Sequence, residues 1–215
     1  PPPPPPPPPL FFFHPHDGNP DPLWSRGLGD VYKRQDIKGA DIEKVRMGIG
    51  LDKRIGYEYL YPGLGFGGSC FPKDIRAIID NANDANLDLK LLKSVIEIND
   101  FQVDIFTKKI TEYFKSDDLS GLTLSVWGVS FKPNTDDIRF APAIKLIKNL
   151  LNKGALVKAY DPKALDNLRE TIKHKNLSFN DNPFDAAKES NALIIATESV
   201  SYTHLRAHET REDRL

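Results

Sequence analysis

The stretch most able to do chemistry is GLGFGGSCFPKD, Gly63 to Asp74, which holds Cys70, the only cysteine of the chain. Directly after it, PKDIRAIIDNAND reads as a helix with Pro72 and Asp74 near its start and Ile75, Ile78 and Ile79 on its apolar side. A thiol at the mouth of a helix meets free N–H groups that favour an anion. Lys73 adds positive charge, and Asp74 lies one turn along as a hydrogen-bonding partner. That pattern suits a nucleophilic cysteine. It equally suits a buried structural cysteine beside a tight turn, the ordinary fate of an isolated Cys. Histidines do not decide between them: His14, His16, His204 and His208 lie near the ends, and His174 stands alone in a lysine-rich run. Neither a Cys–His pair nor a set of metal ligands is expected.

Gly63, Gly65 and Gly68 also match G-x-G-x-x-G. A dinucleotide cradle needs a strand running into those glycines and a βαβ unit around them. Here RIGYEYLYPG precedes, and Pro62 discourages such a strand. The glycines are therefore read as a sharply turning backbone that something approaches closely.

The second chemical stretch is GVSFKPNTDDIR, Gly128 to Arg139. It follows a strand-like run and precedes a helix-like one, the place where open α/β sheets bind ligands. Lys132 and Arg139 would set two cations beside a phosphate-binding edge. Alternatively it is a solvated loop whose Asp136 and Asp137 cap the following helix. Asp161 sits where a dinucleotide fold holds a ribose hydroxyl, but as Asp-Pro it reads as a turn.

Period and punctuation supply the elements that carry these stretches. DIEKVRMGIGLD predicts a short helix with Ile42, Val45 and Ile49 at helical spacing. LDLKLLKSVIEINDFQVDIFTKKITEYFKS predicts an amphipathic helix of about 25 residues, roughly 35 Å long. Its stripe runs through Leu91, Val95, Ile98, Phe101 or Gln102, Ile105, Ile110 and Phe114, facing either a core or a second subunit. Beyond Ser116, LTLSVWGVSF, ALVKAYDP and NALIIAT predict three strands, with helices from APAIKLIKNLLNKG and DNPFDAAKES between them. Strand, helix, strand implies a parallel sheet. The expected fold is α/β: an all-helical central domain (36–116) joined by its long helix to an incomplete Rossmann-like parallel-sheet domain (117–200).

Residues 1–35 open on nine prolines and are expected to be a disordered tail. GLGDVYKRQ (Gly27 to Gln35) and SYTHLRAHETREDRL (Ser201 to Leu215) resemble translated sequencing-adapter sequence, so both ends are expected to be non-native. Over the 215 residues, 30 acids balance 29 bases, which gives no excess charge to draw nucleic acid or an anionic membrane surface. No apolar run approaches the roughly 20 residues of a membrane span. One cysteine and no signal pattern fit a reducing, cytoplasmic setting.

GGSCFPKD and FKPNTDD, in this order and with RIG, INDFQ and AYDP around them, resemble the UDP-glucose/GDP-mannose dehydrogenase family from about Asp36 to Glu198. The resemblance implies an NAD-dependent, four-electron oxidation of a sugar primary alcohol to a carboxylate through a cysteine thiohemiacetal and thioester. It implies Cys70 as nucleophile and Asp74 as the carboxylate assisting water or proton transfer. Arg54 is implied to reach substrate from a neighbouring subunit, and Tyr61, Gly65, Phe66, Gly67, Phe131 and Lys132 to line the nucleotide sugar. Lys73 and Arg139 are implied near the cofactor. Phe71 in CFPKD favours UDP-glucose over GDP-mannose as substrate. A homodimer or higher homo-oligomer through the central helix is also implied. The family's NAD-binding domain has no counterpart in the text, so the chain alone is expected to form no NADH from UDP-glucose. The alternatives are the same chemistry on GDP-mannose and a non-catalytic dimerising or nucleotide-binding fragment.

Overall fold

The structure is a computed structural model that describes residues 11–13, 42–57, 60 and 63–197. Its central strand, β2 (Thr123–Trp127), shows why this part of the chain makes a parallel sheet. LSVW is buried on both faces, so the text is continuously apolar instead of alternating. β3 (Leu156–Tyr160) and β4 (Leu177–Phe179) extend the sheet on one side of β2; β5 (Ala192–Ile195) and β1 (Phe11–Phe13) extend it on the other. All neighbours are parallel, in the order β1-β5-β2-β3-β4. The chain leaves β2 for β3 on one side and later returns to β5 on the other, so the topological switch point lies between β2 and β5.

Helices follow the predicted spacing closely. α1 (Ile42–Gly50) and α2 (Phe71–Asp84) precede α3 (Lys90–Phe114), which has 25 residues. α3 ends where Lys115 turns left-handed, with φ 53°. α4 (Pro142–Asn152) starts on a proline and is followed by Gly154 at φ +87°. α5 (Leu165–Thr171) and α6 (Pro183–Ala187) fill the later crossovers, and the Asn182 side chain caps α6 by accepting from the Phe184 and Asp185 N–H groups.

Among the described residues the sheet has five strands where the sequence predicts three. β4 is only three residues long and α5 only seven, too short for a periodicity to register. β1 falls within the tail expected to be disordered, yet Phe11–Phe13 pair with Ala192–Ile194. Three aromatic residues favour extended backbone, and the outer edge of β5 offers unpaired N–H and C=O groups. The rest of both tails lies outside the described residues.

The stripe of α3 also differs from expectation. Val103, Phe106 and Ile110 are its buried apolar residues, while Leu91, Ile98 and Phe101 are exposed. The buried three join Leu124, Val126, Leu146, Ile147 and Leu150 in one cluster. One core therefore crosses the division expected after residue 116. Each such side chain contributes about 1.5–3 kcal/mol by leaving water. Polar contacts fix how α3 lies on α4: Asp104 accepts from Lys145 Nζ at 2.8 Å and from Asn149 Nδ2 at 3.0 Å. This packing brings the loop before α2 against the loop after β2.

Candidate active site

Cys70 is the residue immediately before α2, with φ −92° and ψ −67°, and it is exposed. Its side chain does not cap the helix; the sulfur lies 3.7 Å from Ser69 Oγ. The expected position at a helix mouth is thus correct. The expected hydrogen bond from the thiol to the Asp74 carboxylate is not formed: that carboxylate faces Lys73 Nζ at 3.4 Å, and both side chains are exposed. Only the Asp74 N–H reaches back, donating to the Cys70 carbonyl at 2.8 Å.

The glycines allow close approach at three points. At Gly65, with φ +123°, a Cβ would lie 2.6 Å from Asn99 Oδ1. At Gly67 it would strike the Phe140 carbonyl oxygen, and at Gly68, with φ +87°, it would lie 2.8 Å from the Phe131 ring. Gly65 thus meets α3, while Gly67 and Gly68 meet the segment that runs from the second chemical stretch into α4. Gly68 N–H donates to the Arg139 carbonyl at 2.8 Å, joining the loops directly. Leu64, between the glycines, is buried in the shared core and anchors the loop from below.

On the sheet side, the loop leaves β2 through Gly128, at φ +82°, beside the switch point. Lys132 Nζ lies over the Phe131 ring at 5.3 Å, and Phe131 N–H donates to the Asp137 carbonyl. Asp137 does not cap α4 as expected. The residue at that cap is Ala141, with no side-chain bond, whereas Asp137 takes Arg139 in a fork at 2.9 and 2.8 Å. Hydrogen bonding to Arg139 holds the Asp137 carboxyl below its ordinary range. Arg139 is raised in turn, first by that bond and then by the carboxylate's charge, with a smaller contribution from Cys70. The arginine and the thiol are therefore electrostatic neighbours.

Asp161 is buried and faces inward. Oδ2 accepts from the N–H groups of Val129 and Ser130 at 2.8 and 3.3 Å, and Oδ1 from those of Lys163 and Ala164 at 2.8 Å each. It ties the end of β3 to the loop after β2, and the turn reading holds over the ribose reading. Thr197 closes the other side, donating from Oγ1 to the Ser130 carbonyl at 2.5 Å.

Thus the structure gathers Gly65, Phe66, Gly67, Cys70, Phe131, Lys132 and Arg139 at one junction. It does not gather Arg54, which is exposed and held by Asp52 through Nε and Nη2. Tyr61 lies outside the described residues. Among the described residues no group of His, Cys, Asp or Glu could hold a metal, and no helix is long and apolar enough to cross a membrane. Beneath the junction, a cavity of about 380 Å³ opens between Phe66, Pro72, Asn99, Phe140, Pro142 and Lys145.

Sequence reasoning missed Asn99. Its Oδ1 accepts from Phe66 N–H at 2.7 Å and its Nδ2 donates to the Phe66 carbonyl at 3.1 Å. The available signal was an asparagine inside a long helix, where its side chain competes with the backbone and intrinsic preference disfavours it.

Fold and site together define an α/β protein that presents a thiol loop at the ligand-binding end of a parallel, Rossmann-like sheet. The chain belongs to the UDP-glucose/GDP-mannose dehydrogenase family: the family's central domain matches residues 30–101 and its UDP binding domain residues 125–213. The second match runs past Glu198, where the sequence resemblance was expected to stop. A UDP-glucose 6-dehydrogenase of Rickettsia bellii is 45% identical over 160 residues, covering 74% of this chain and 37% of that protein. One from Pseudomonas aeruginosa is 40% identical over 166 residues, covering 75% and 36%. The chain thus spans little more than a third of these relatives. Among solved structures, a UDP-glucose dehydrogenase from Pyrobaculum islandicum superposes with a TM-score of 0.71 at 35% identity, covering 76% of this chain and 37% of that one. A GDP-mannose dehydrogenase from Pseudomonas aeruginosa, at 24% identity and a TM-score of 0.57, shares the fold.

Proposed function

We propose that this chain carries the thiol and nucleotide-sugar half of an NAD-dependent UDP-glucose 6-dehydrogenase that makes UDP-glucuronate. The observation supporting this is the docking of the Cys70 loop on the Phe131–Arg139 loop, at the switch point where a parallel sheet binds ligands. In this reading Phe131 and Lys132 hold the nucleotide sugar, with Gly65, Phe66 and Gly67 shaping the wall beside it. Cys70 Sγ attacks the C6 aldehyde carbon; a C–S bond forms, the carbonyl π-pair moves to oxygen, and that oxygen takes a proton. Were a hydride acceptor held outside the described residues to take the C6 hydride and leave a thioester, water would add to its carbon and the C–S bond would break, returning the thiolate. Asp74, exposed and one turn from Cys70, is the proposed acceptor of the water's proton.

NAD is the proposed hydride acceptor, but the described residues do not fit it. Among the described residues no strand precedes Gly63–Gly68, and the nearby cations Lys73 and Arg139 are taken by Asp74 and Asp137. UDP-glucose is favoured over GDP-mannose because the relatives at 40–45% identity carry the former name. A homodimer through α3 is proposed from its exposed Leu91, Ile98 and Phe101, and a cytoplasmic location from the single free thiol.

The test is alkylation of Cys70 by iodoacetamide, followed by intact mass. UDP-glucose bearing a C6 aldehyde is expected to slow the reaction at least about tenfold when saturating, a coupling of about 1.4 kcal/mol. The GDP-mannose counterpart leaves the rate unchanged, and Lys132→Ala weakens the protection. An inert thiol, or one protected by neither compound, overturns the proposal.

A further inference from the structure

We infer that Asn99 is a positioning residue for the thiol: from the middle of α3 it holds the Cys70 loop in register by pairing with both polar groups of the Phe66 peptide. An asparagine side chain presents one acceptor and two donors, and here acceptor and donor meet the N–H and C=O of the same residue. That is the pattern by which one strand fixes another, supplied by a single side chain. The chain is adapted to it, since Gly65 leaves room for Asn99 Oδ1 where a Cβ would lie at 2.6 Å. The hold is passed toward the sulfur by Phe66, whose ring packs edge-on against Phe71 at 4.7 Å between centroids. Phe66 and Phe71 thus close the segment that contains Cys70, and Asn99 ties one end of it to the most regular element of the helical region. The role assigned to Asn99 deepens the proposed function, because a thiol must be held near its target carbon for attack.

Because Cys70 is the only cysteine, a nitroxide methanethiosulfonate label reports on this loop alone. In labelled parent protein the electron paramagnetic resonance spectrum is expected to show mainly the restricted component. Asn99→Ala is expected to shift it mainly to the mobile component, and Ile110→Val, a core change away from the loop, to leave it restricted. Should Asn99→Ala fail to fold, Asn99→Asp decides, since it keeps the acceptor for Phe66 N–H and loses the donor to its carbonyl; an increased mobile fraction is expected. A folded Asn99 variant with the parent spectrum overturns the inference, as does an equal shift in Ile110→Val. Cys70 is exposed to the labelling reagent, and the label reads loop motion whether or not the thiol attacks an aldehyde, so absence of ligand protection in the alkylation experiment leaves this result standing.

Discussion

Asp161→Ala is expected to lower the unfolding free energy by about 3–4 kcal/mol, since it leaves several buried N–H groups without an acceptor. Four backbone donors converge on that carboxylate, two from each of the loops it joins, and the residue is only 5% exposed. In a chain of this size the loss corresponds to a fall in melting temperature of roughly 10 °C. Asp161→Asn keeps one oxygen but turns an N–H toward a facing donor, so it should fall between parent and alanine. Calorimetry or urea unfolding of the three proteins measures this. A loss for Asp161→Ala under about 1 kcal/mol, the size of an ordinary exposed hydrogen bond, would show that water replaces the carboxylate and that it does not organise the loop.

Gly67→Ala is expected to cost about 2–3 kcal/mol and to open the junction between the two loops. The added methyl meets backbone, the Phe140 carbonyl oxygen and the Ala141 Cα, which cannot rotate away as a side chain would. Phe140 has little freedom to yield: it already sits at φ +51°, unusual for a bulky residue, and Arg76 lies over its ring at 5.3 Å. Amide exchange at Gly68, whose N–H donates to the Arg139 carbonyl, should accelerate in the variant. Gly63→Ala is the comparison, because nothing among the described residues lies within 4 Å of its would-be Cβ; it should change stability by less than about 0.5 kcal/mol. Equal effects at both positions would count against tight docking of the loops.

Much of the fold is legible in the text because its signals are local. α3 is written as a long run of helical spacing without proline or glycine, and its 25 residues match the expected length. The strands at Thr123, Leu156 and Ala192 are short apolar runs bounded by glycine or turn residues. Cys70 ahead of a helix follows from PKD alone, and the two chemical stretches are specific enough to carry the family resemblance. Which residues of α3 face the core is less legible: its apolar residues encircle more than one face, and only packing on α4 selects Val103, Phe106 and Ile110.

By itself, the sequence determined where the main strands and all helices but the seven-residue α5 run, that the sheet is parallel, and that a lone thiol stands at a helix mouth. Each of these is decided by neighbours within a turn or two along the chain. Tertiary structure decided the partners. Asn99 takes Phe66 from 33 residues away, Asp161 takes Val129 from 32, and Arg139 turns to Asp137 while its own carbonyl receives Gly68. A polar group in a loop must find a partner, but its identity depends on which distant segment the core brings beside it. The thiol loop therefore exists in the text as a motif and becomes a site only when α3 packs on α4.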